Sequence, residues 1–228
     1  MILCDWEELP DNMKIPAVRP YYDKLNEKRC GLICKRIFDL AVSLVMLIVL
    51  SPLFLLLAIA VKLDSEGPVF YRQKRITQFG RVFYIHKFRT MVVDADKVGT
   101  QVTVGKDPRV TGMGRILRGC RLDELPQLLD IIAGNMSFVG TRPEVPKYVE
   151  AYTDEMMATL LLPAGVTSEA SILYKDEAEL LEAAEDVDRT YVEQILPEKM
   201  KYNLDSIMKF SFCGELGIML RTVIAVFR

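Results

Sequence analysis

The sequence predicts a helix-rich α/β domain attached to a membrane by an N-terminal hydrophobic segment, and three observations predict it. Leu40 to Val61 is a run of twenty-two residues without a charge. Two short runs of aromatic and β-branched residues follow, Pro68-Val69-Phe70-Tyr71 and Arg81-Val82-Phe83-Tyr84-Ile85, read as strands around a Gln78-Phe79-Gly80 turn. Beyond them the apolar residues fall at helical spacing.

The hydrophobic run is long enough to cross a bilayer as one helix, but Ser51-Pro52 sits at its centre. Proline removes a backbone donor and clashes with the carbonyl four residues before it, so the helix bends or breaks there. A kinked spanning helix and a re-entrant hairpin both fit. Basic residues on both flanks (Lys35, Arg36 and Lys62) suit the hairpin slightly better, because a spanning helix biases Lys and Arg to one side. A buried core helix fits less well, since soluble cores rarely need so long an uncharged run.

Residues 1–30 are polar and interrupted by Pro10, Pro16 and Pro20, which predicts an irregular lead-in. Apolar residues at 125, 128, 129 and 132 predict a helix, with Pro126 in its first turn and Gly134-Asn135 at its end. Asp107-Pro108-Arg109 and Gly112 to Gly114 predict a turn. Glu177 to Ile195 reads as an acidic amphipathic helix stopped near Pro197. Glu215 to Phe227 is apolar but too short to span, and so predicts a core or interfacial helix with Arg221 and Arg228 at the headgroups. The organisation expected is a lead-in over 1–34, a membrane segment over 35–63 and a folded domain over 64–228.

The 228 residues suffice for one domain with an anchor, and half are apolar although 26% are charged. The net charge of -2 hides an asymmetry. Arg72 to Arg121 holds twelve Lys/Arg against three Asp/Glu, whereas Glu144 to Glu198 holds fourteen acidic residues against three basic ones. One face should attract phosphates or anionic lipid, and no nucleic-acid motif accompanies it. The five scattered cysteines show neither a pairing pattern nor zinc spacing and read as reduced thiols. The acidic start lacks the basic region of a signal peptide.

Asp123-Glu124 leads the chemistry. Adjacent carboxylates at a helix start feel its positive end, which favours the ionised form, able to hold a divalent cation or to attack phosphorus. Ordinary helix capping is the bland alternative. Here, however, the pair follows Arg115, Arg118 and Arg121 and precedes Arg142 in Gly140-Thr141-Arg142-Pro143, a loop suited to gripping a phosphate. Lys87 and Arg89, two apart in a strand, would face the same side and meet one pyrophosphate, unless they merely line a solvated face. His86, the single histidine, reads as structural rather than catalytic. No Walker loop, dinucleotide fingerprint or Ser-His-Asp pattern is present.

Together these segments resemble the bacterial sugar transferase family, the monotopic polyprenyl-phosphate phosphoglycosyl transferases. The matching pieces run in order: Lys35-Arg36-Ile37-Phe38-Asp39 before the Ser51-Pro52 break, Gly67-Pro68-Val69-Phe70, Lys87-Phe88-Arg89-Thr90-Met91 and Asp107-Pro108-Arg109-Val110-Thr111. Leu122-Asp123-Glu124-Leu125-Pro126-Gln127-Leu128 and Gly134-Asn135-Met136-Ser137-Phe138-Val139-Gly140-Thr141-Arg142-Pro143 follow. The likeness covers residues 33–228 and implies a helix-rich α/β catalytic domain, with a re-entrant helix broken at Ser51-Pro52 and amphipathic interfacial helices.

By resemblance, Asp123 is the covalent nucleophile on a UDP-sugar, UMP leaves, and polyprenyl (undecaprenyl) phosphate accepts the sugar phosphate. Asp123 and Glu124 hold Mg2+, while Lys87, Arg89, Arg118, Arg142 and Pro143 contact phosphate or nucleotide. The implied setting is the cytoplasmic face of a bacterial inner membrane. Inner-leaflet lipids, downstream glycosyltransferases and a second copy of the chain are the expected partners. The chain departs from the family at Thr141, where proline is usual, at Asn135, where an acidic residue is common, and at Leu162 to Glu169, where many members carry Pro-Gly-Ile-Thr-Gly. No multi-span N-terminal domain is expected, as in the compact members. Two other readings are single-step transfer with the carboxylates only binding metal, and an inactive scaffold for glycan enzymes.

Overall fold

The computed structural model describes residues 3–95, 107–174, 180, 181, 184 and 186–226. The chain before the hydrophobic run is not irregular. Short 3-10 turns at Trp6–Glu8 and Asp11–Met13 lead into α1 (Arg19–Asn26), with Pro20 in its first turn, where proline's missing donor costs nothing. Leu3, Leu9, Met13, Val18, Tyr22 and Leu25 are buried here and join Leu161, Leu204, Ile207 and Phe210 in one core cluster. The prolines therefore punctuate a folded lead-in, held by apolar residues spaced between them.

Helix α2 (Arg29–Val49) and helix α3 (Ser51–Asp64) are the two halves of the hydrophobic run, bent by 64° at the break. Pro52 starts α3, and the Ser51 hydroxyl donates to the Ile48 carbonyl at 2.8 Å, satisfying one acceptor that the break exposes. No single described helix is long and apolar enough to cross a membrane, whereas this bent pair passes together by length and composition. Ile37, Leu44, Val45, Ile48, Val49, Leu55, Leu56 and Leu63 are exposed along it. So wide an apolar surface on neighbouring helices marks an interaction site.

The root of α2 is fastened by charge. Lys35 donates to the Val139 carbonyl at 2.8 Å and pairs with Glu215. Arg36 donates to the carbonyls of Ile131 (2.7 Å) and Ile132 (3.1 Å), and Asp39 accepts the Phe138 amide at 3.3 Å. These residues tie the hydrophobic pair to the domain below it.

Strand β1 (Phe70–Ile76) and strand β2 (Val82–Phe88) form an antiparallel hairpin with Phe70 opposite Phe88 and Ile76 opposite Val82. Its turn is the expected one, with Phe79 and Gly80 both at positive φ. Helix α4 (Gly112–Gly119) replaces the turn expected at Gly112 to Gly114. Thr111 caps it by accepting from the Gly114 amide at 3.0 Å. Glycine is needed at 114 for approach, not flexibility: a Cβ there would lie 2.1 Å from the Thr90 carbonyl oxygen.

Helix α5 (Gln127–Ala133) ends at Gly134 in the left-handed conformation, as its sequence predicts. Strand β3 (Met136–Val139), the short α6 (Pro146–Val149), a 3-10 segment Met156–Leu161 and β4 (Ala164–Thr167) follow, with β3 and β4 parallel. Helix α7 (Glu169–Leu173) leads to the far end of the chain. Of the acidic helix expected over Glu177–Ile195, several residues lie outside the described ones. The described part, α8 (Val187–Thr190), runs through a π turn at Tyr191–Ile195 into α9 (Leu196–Met208). Pro197 thus stands in the first turn of a helix rather than stopping one.

Helix α10 (Phe212–Val226) is the expected apolar C-terminal helix, with Leu220, Val223 and Ile224 exposed. Arg221 is engaged by Glu169 at 2.7 and 2.6 Å, a paired side chain where a headgroup contact was expected; Arg228 lies outside the described residues.

Candidate active site

Three chain segments converge on Asp123-Glu124. The pair does not open an α-helix. It lies on a separate 3-10 turn, Leu122–Glu124, three residues before α5. Arg121, left-handed at φ 53°, turns the chain from α4 into that pair, a conformation costing a non-glycine residue about 1 kcal/mol. The helix-dipole effect expected for the two carboxylates is accordingly replaced by contacts with named cations.

The Lys87 ammonium, near the end of β2, donates to Glu124 Oε1 at 2.6 Å, and Arg142 Nη2 donates to the same oxygen at 2.7 Å. Burial alone would push the Glu124 carboxyl up, but Arg142 and Lys87 outweigh it and hold the group far below its ordinary 4.5. Asp123 is shifted the other way. Burial and the neighbouring Glu124 raise its carboxyl above the ordinary 3.8, against the pull of Lys87 and Arg118. Among the described residues no side chain donates a hydrogen bond to Asp123. Two adjacent carboxylates with opposed shifts have different chemical roles available: Glu124 is fixed as an anion, while Asp123 is the more basic and uncommitted group.

The structure brings together Asp123, Glu124, Lys87 and Arg142, with Arg118 close enough to act on Asp123. Arg118 Nε donates to the Thr90 hydroxyl at 2.9 Å. It places Arg89 elsewhere. Arg89 lies just past β2, and its Nη2 donates to the Ser65 carbonyl (2.7 Å) and hydroxyl (2.9 Å), away from Glu124. The shared face expected for Lys87 and Arg89 ends where the strand ends. Pro143 is buried behind Arg142, and its carbonyl accepts from Arg75 Nη1 at 3.0 Å. Arg75 is the residue that the sequence reading passed over. It lies on the half-buried face of β1 with Tyr71 and Gln73, opposite the face that exposes Arg72 and Lys74, and that alternation was its available signal. His86 is tied to a neighbouring helix: its backbone amide and Nδ1 both meet Asp130, each at 2.9 Å.

No cluster of three or more His, Cys, Asp or Glu able to hold a metal occurs among the described residues. The donor set still fits a hard cation in the manner of Mg2+, which takes one or two carboxylates and completes its shell with water and phosphate oxygens. Asp123 is uncommitted, and both hydrogen bonds to the Glu124 carboxylate fall on Oε1.

Comparison with known proteins decides the kinship. Residues 30–228 match the model of the family described as bacterial sugar transferase. The chain belongs to the bacterial sugar transferase family. Across 194 residues it is 35% identical to an Escherichia coli protein named UDP-glucose:undecaprenyl-phosphate glucose-1-phosphate transferase, covering 83% of this chain and 39% of that protein. It is 31% identical over 192 residues to the Aeromonas hydrophila UDP-N-acetylgalactosamine-undecaprenyl-phosphate N-acetylgalactosaminephosphotransferase, covering 83% of this chain and 42% of the relative. The exopolysaccharide production protein ExoY of Sinorhizobium fredii is 41% identical over 152 residues, 60% of this chain and 67% of that one. This sugar transferase chain thus spans about two fifths of the first two relatives.

Proposed function

We propose that this chain transfers a sugar 1-phosphate from a UDP-sugar to polyprenyl phosphate in two steps. Asp123 attacks the sugar-bearing phosphorus, the bond from that phosphorus to the bridging oxygen breaks, and UMP leaves with that oxygen. An oxygen of polyprenyl phosphate then attacks the same phosphorus and frees the Asp123 carboxylate, yielding a polyprenyl diphosphosugar. The reading rests on family membership and on one observation: an uncommitted, more basic carboxylate beside a carboxylate locked by two cations.

A raised carboxyl is the stronger nucleophile provided the pH keeps it ionised. Lys87, Arg118 and Arg142 supply positive charge where phosphate charge spreads during transfer. Arg142, held through Pro143 by Arg75, is placed for the donor's phosphates once they compete for it with Glu124. Mg2+ held by Asp123 and Glu124 would supply further charge neutralisation at the phosphates.

The bent α2–α3 pair is read as re-entrant, with its exposed apolar faces in the inner leaflet and the remaining domain on the cytoplasmic side. A closed bend lets both ends leave by one face without a polar backbone stranded in lipid. The apolar face of α10 would lie at the same interface.

The test is UMP release from a panel of UDP-sugars by the full chain, with and without polyprenyl phosphate and magnesium. One sugar should give lipid-dependent UMP, and Asp123→Asn should lower the rate by roughly 10³-fold or more while membrane binding persists. A phosphosugar adduct should be trapped on Asp123 by mass spectrometry when the acceptor is withheld. Full turnover in Asp123→Asn would exclude the covalent route. Loss of turnover with no adduct ever trapped would favour single-step transfer.

A further inference from the structure

The two walls of the site, the β2 end with Lys87 and α4 with Arg118, share a joint away from the chemistry. Asp64, the last residue of α3, accepts the Met113 amide at 2.9 Å through Oδ2, and the Thr111 hydroxyl also hydrogen-bonds to it. These bonds fasten the start of α4 to the end of α3. A Cβ on Gly112 would lie 3.0 Å from Asp64 Oδ1, so the contact is close.

The next residue, Ser65, accepts two hydrogen bonds from the Arg89 guanidinium, through its carbonyl and its hydroxyl. Arg89 is only 5% exposed, and among the described residues its Nε and Nη1 find no hydrogen-bond partner. Gly67, at φ 117°, lies over it so closely that a Cβ would come within 2.1 Å of Nη1. A buried cation with two unsatisfied donors lowers stability, and an apolar side chain of similar volume would be better for the fold. Its retention calls for a purpose other than stability.

The purpose is legible in what adjoins it. Two residues before Arg89 is Lys87, on Glu124; the residue after it is Thr90. The Thr90 hydroxyl accepts from Arg118, its carbonyl accepts the Thr111 amide at 3.0 Å, and Gly114 packs on its backbone. The end of α3, the end of β2 and the start of α4 therefore meet as one joint.

We infer that Asp64 and Ser65, through Thr111–Met113 and Arg89, are positioning residues that fix the spacing of Lys87 and Arg118 about Asp123. The seating of the α2–α3 pair then sets the geometry of the site. This rests on the proposed function for its kinetic readout only.

The experiment compares Arg89→Met, Arg89→Lys and Asp64→Ala with wild type, each as full chain in lipid nanodiscs. A purely structural Arg89 predicts that Arg89→Met is neutral or raises the melting temperature and leaves turnover alone. The positioning role predicts an unchanged or raised melting temperature with kcat lowered roughly 10–100-fold at constant donor KM. Arg89→Lys, which still reaches Ser65, should recover part of the rate, and Asp64→Ala should fall in the same way as Arg89→Met. Full activity in Arg89→Met, or a rate loss matched by loss of folded protein, overturns the inference. If wild type itself releases no UMP, the proposed function fails separately, and amide hydrogen exchange decides the joint: the Thr111 amide, bonded to the Thr90 carbonyl, should exchange roughly tenfold faster in Arg89→Met, and unchanged exchange there overturns the inference.

Discussion

Two regions of this molecule bury cations against carboxylates, and they are assembled differently. At the root of α2, Lys35 meets Glu215 and the Val139 carbonyl, Arg36 meets the last carbonyls of α5, and Asp39 meets the Phe138 amide. Each of these charged groups has its partner. At the end of β2, Lys87 and Arg142 likewise close on Glu124, but a second carboxylate, Asp123, lies beside them with no described side chain donating to it. The first cluster is complete as a joint between the hydrophobic pair and the domain. The second carries one acid more than its fold uses, and on the proposed reading that surplus is the reactive group.

Breaking the closed cluster should have the largest effect. Lys35→Met leaves Glu215, which burial already pushes above its ordinary 4.5, without its cation. The expected loss is about 3–5 kcal/mol, read by denaturant unfolding in detergent, with the rate per folded molecule retained. Opening the second cluster should act on binding instead. Arg142→Lys keeps the charge but loses the planar fork, and on the proposed reading should raise the donor KM by roughly 10–100-fold with little change in melting temperature.

The smallest effect sharpens the comparison most. Asp123→Asn removes a carboxylate that the fold does not need, so stability should stay level or rise by up to about 1 kcal/mol. The dependence on pH separates the pair. Glu124 has its native value below 4.5, so its contribution is complete above that pH and is lost as the pH falls toward the native value. Asp123 has its native value above 3.8, so the fold favours its protonated form and is weakened as the pH rises through that interval. Unfolding curves followed downward from neutral pH should decline less steeply in Glu124→Gln and more steeply in Asp123→Asn.

Much of this could be read from residues alone. The Gln78-Phe79-Gly80 turn, the Ser51-Pro52 break and the Gly134 cap are local signals, set by backbone chemistry within a few residues. Asp123, Glu124, Lys87 and Arg142 were legible as candidates because a carboxylate pair closes a basic stretch that contains Lys87 and is followed by Arg142 in a glycine-to-proline loop. What stayed hidden depended on distant partners. The folded lead-in needs Leu161, Leu204 and Phe210 to bury its apolar residues, and α9 continues past Pro197 because its proline falls in a first turn. Arg89 looked like a companion to Lys87 until the end of the strand turned it to Ser65, twenty-four residues back. No periodicity within a strand can report where that strand ends.

The fastening of α2 has a consequence for the order of events during synthesis. Arg36 finds its carbonyl partners 95 and 96 residues later in the chain, Lys35 finds Val139 104 residues later, and Glu215 lies 180 residues on. At about 5–20 residues per second the ribosome needs roughly 5–20 s to make the first hundred of these. For that interval, on the proposed reading, the helix pair has met the bilayer while Lys35, Arg36 and Asp39 still lack their protein partners. Water and lipid phosphates must hold them meanwhile. The nascent chain would pass through a stage in which its anchor is already placed and its enzyme does not yet exist, and a chaperone or a stalled ribosome acting then would find these three charges within reach.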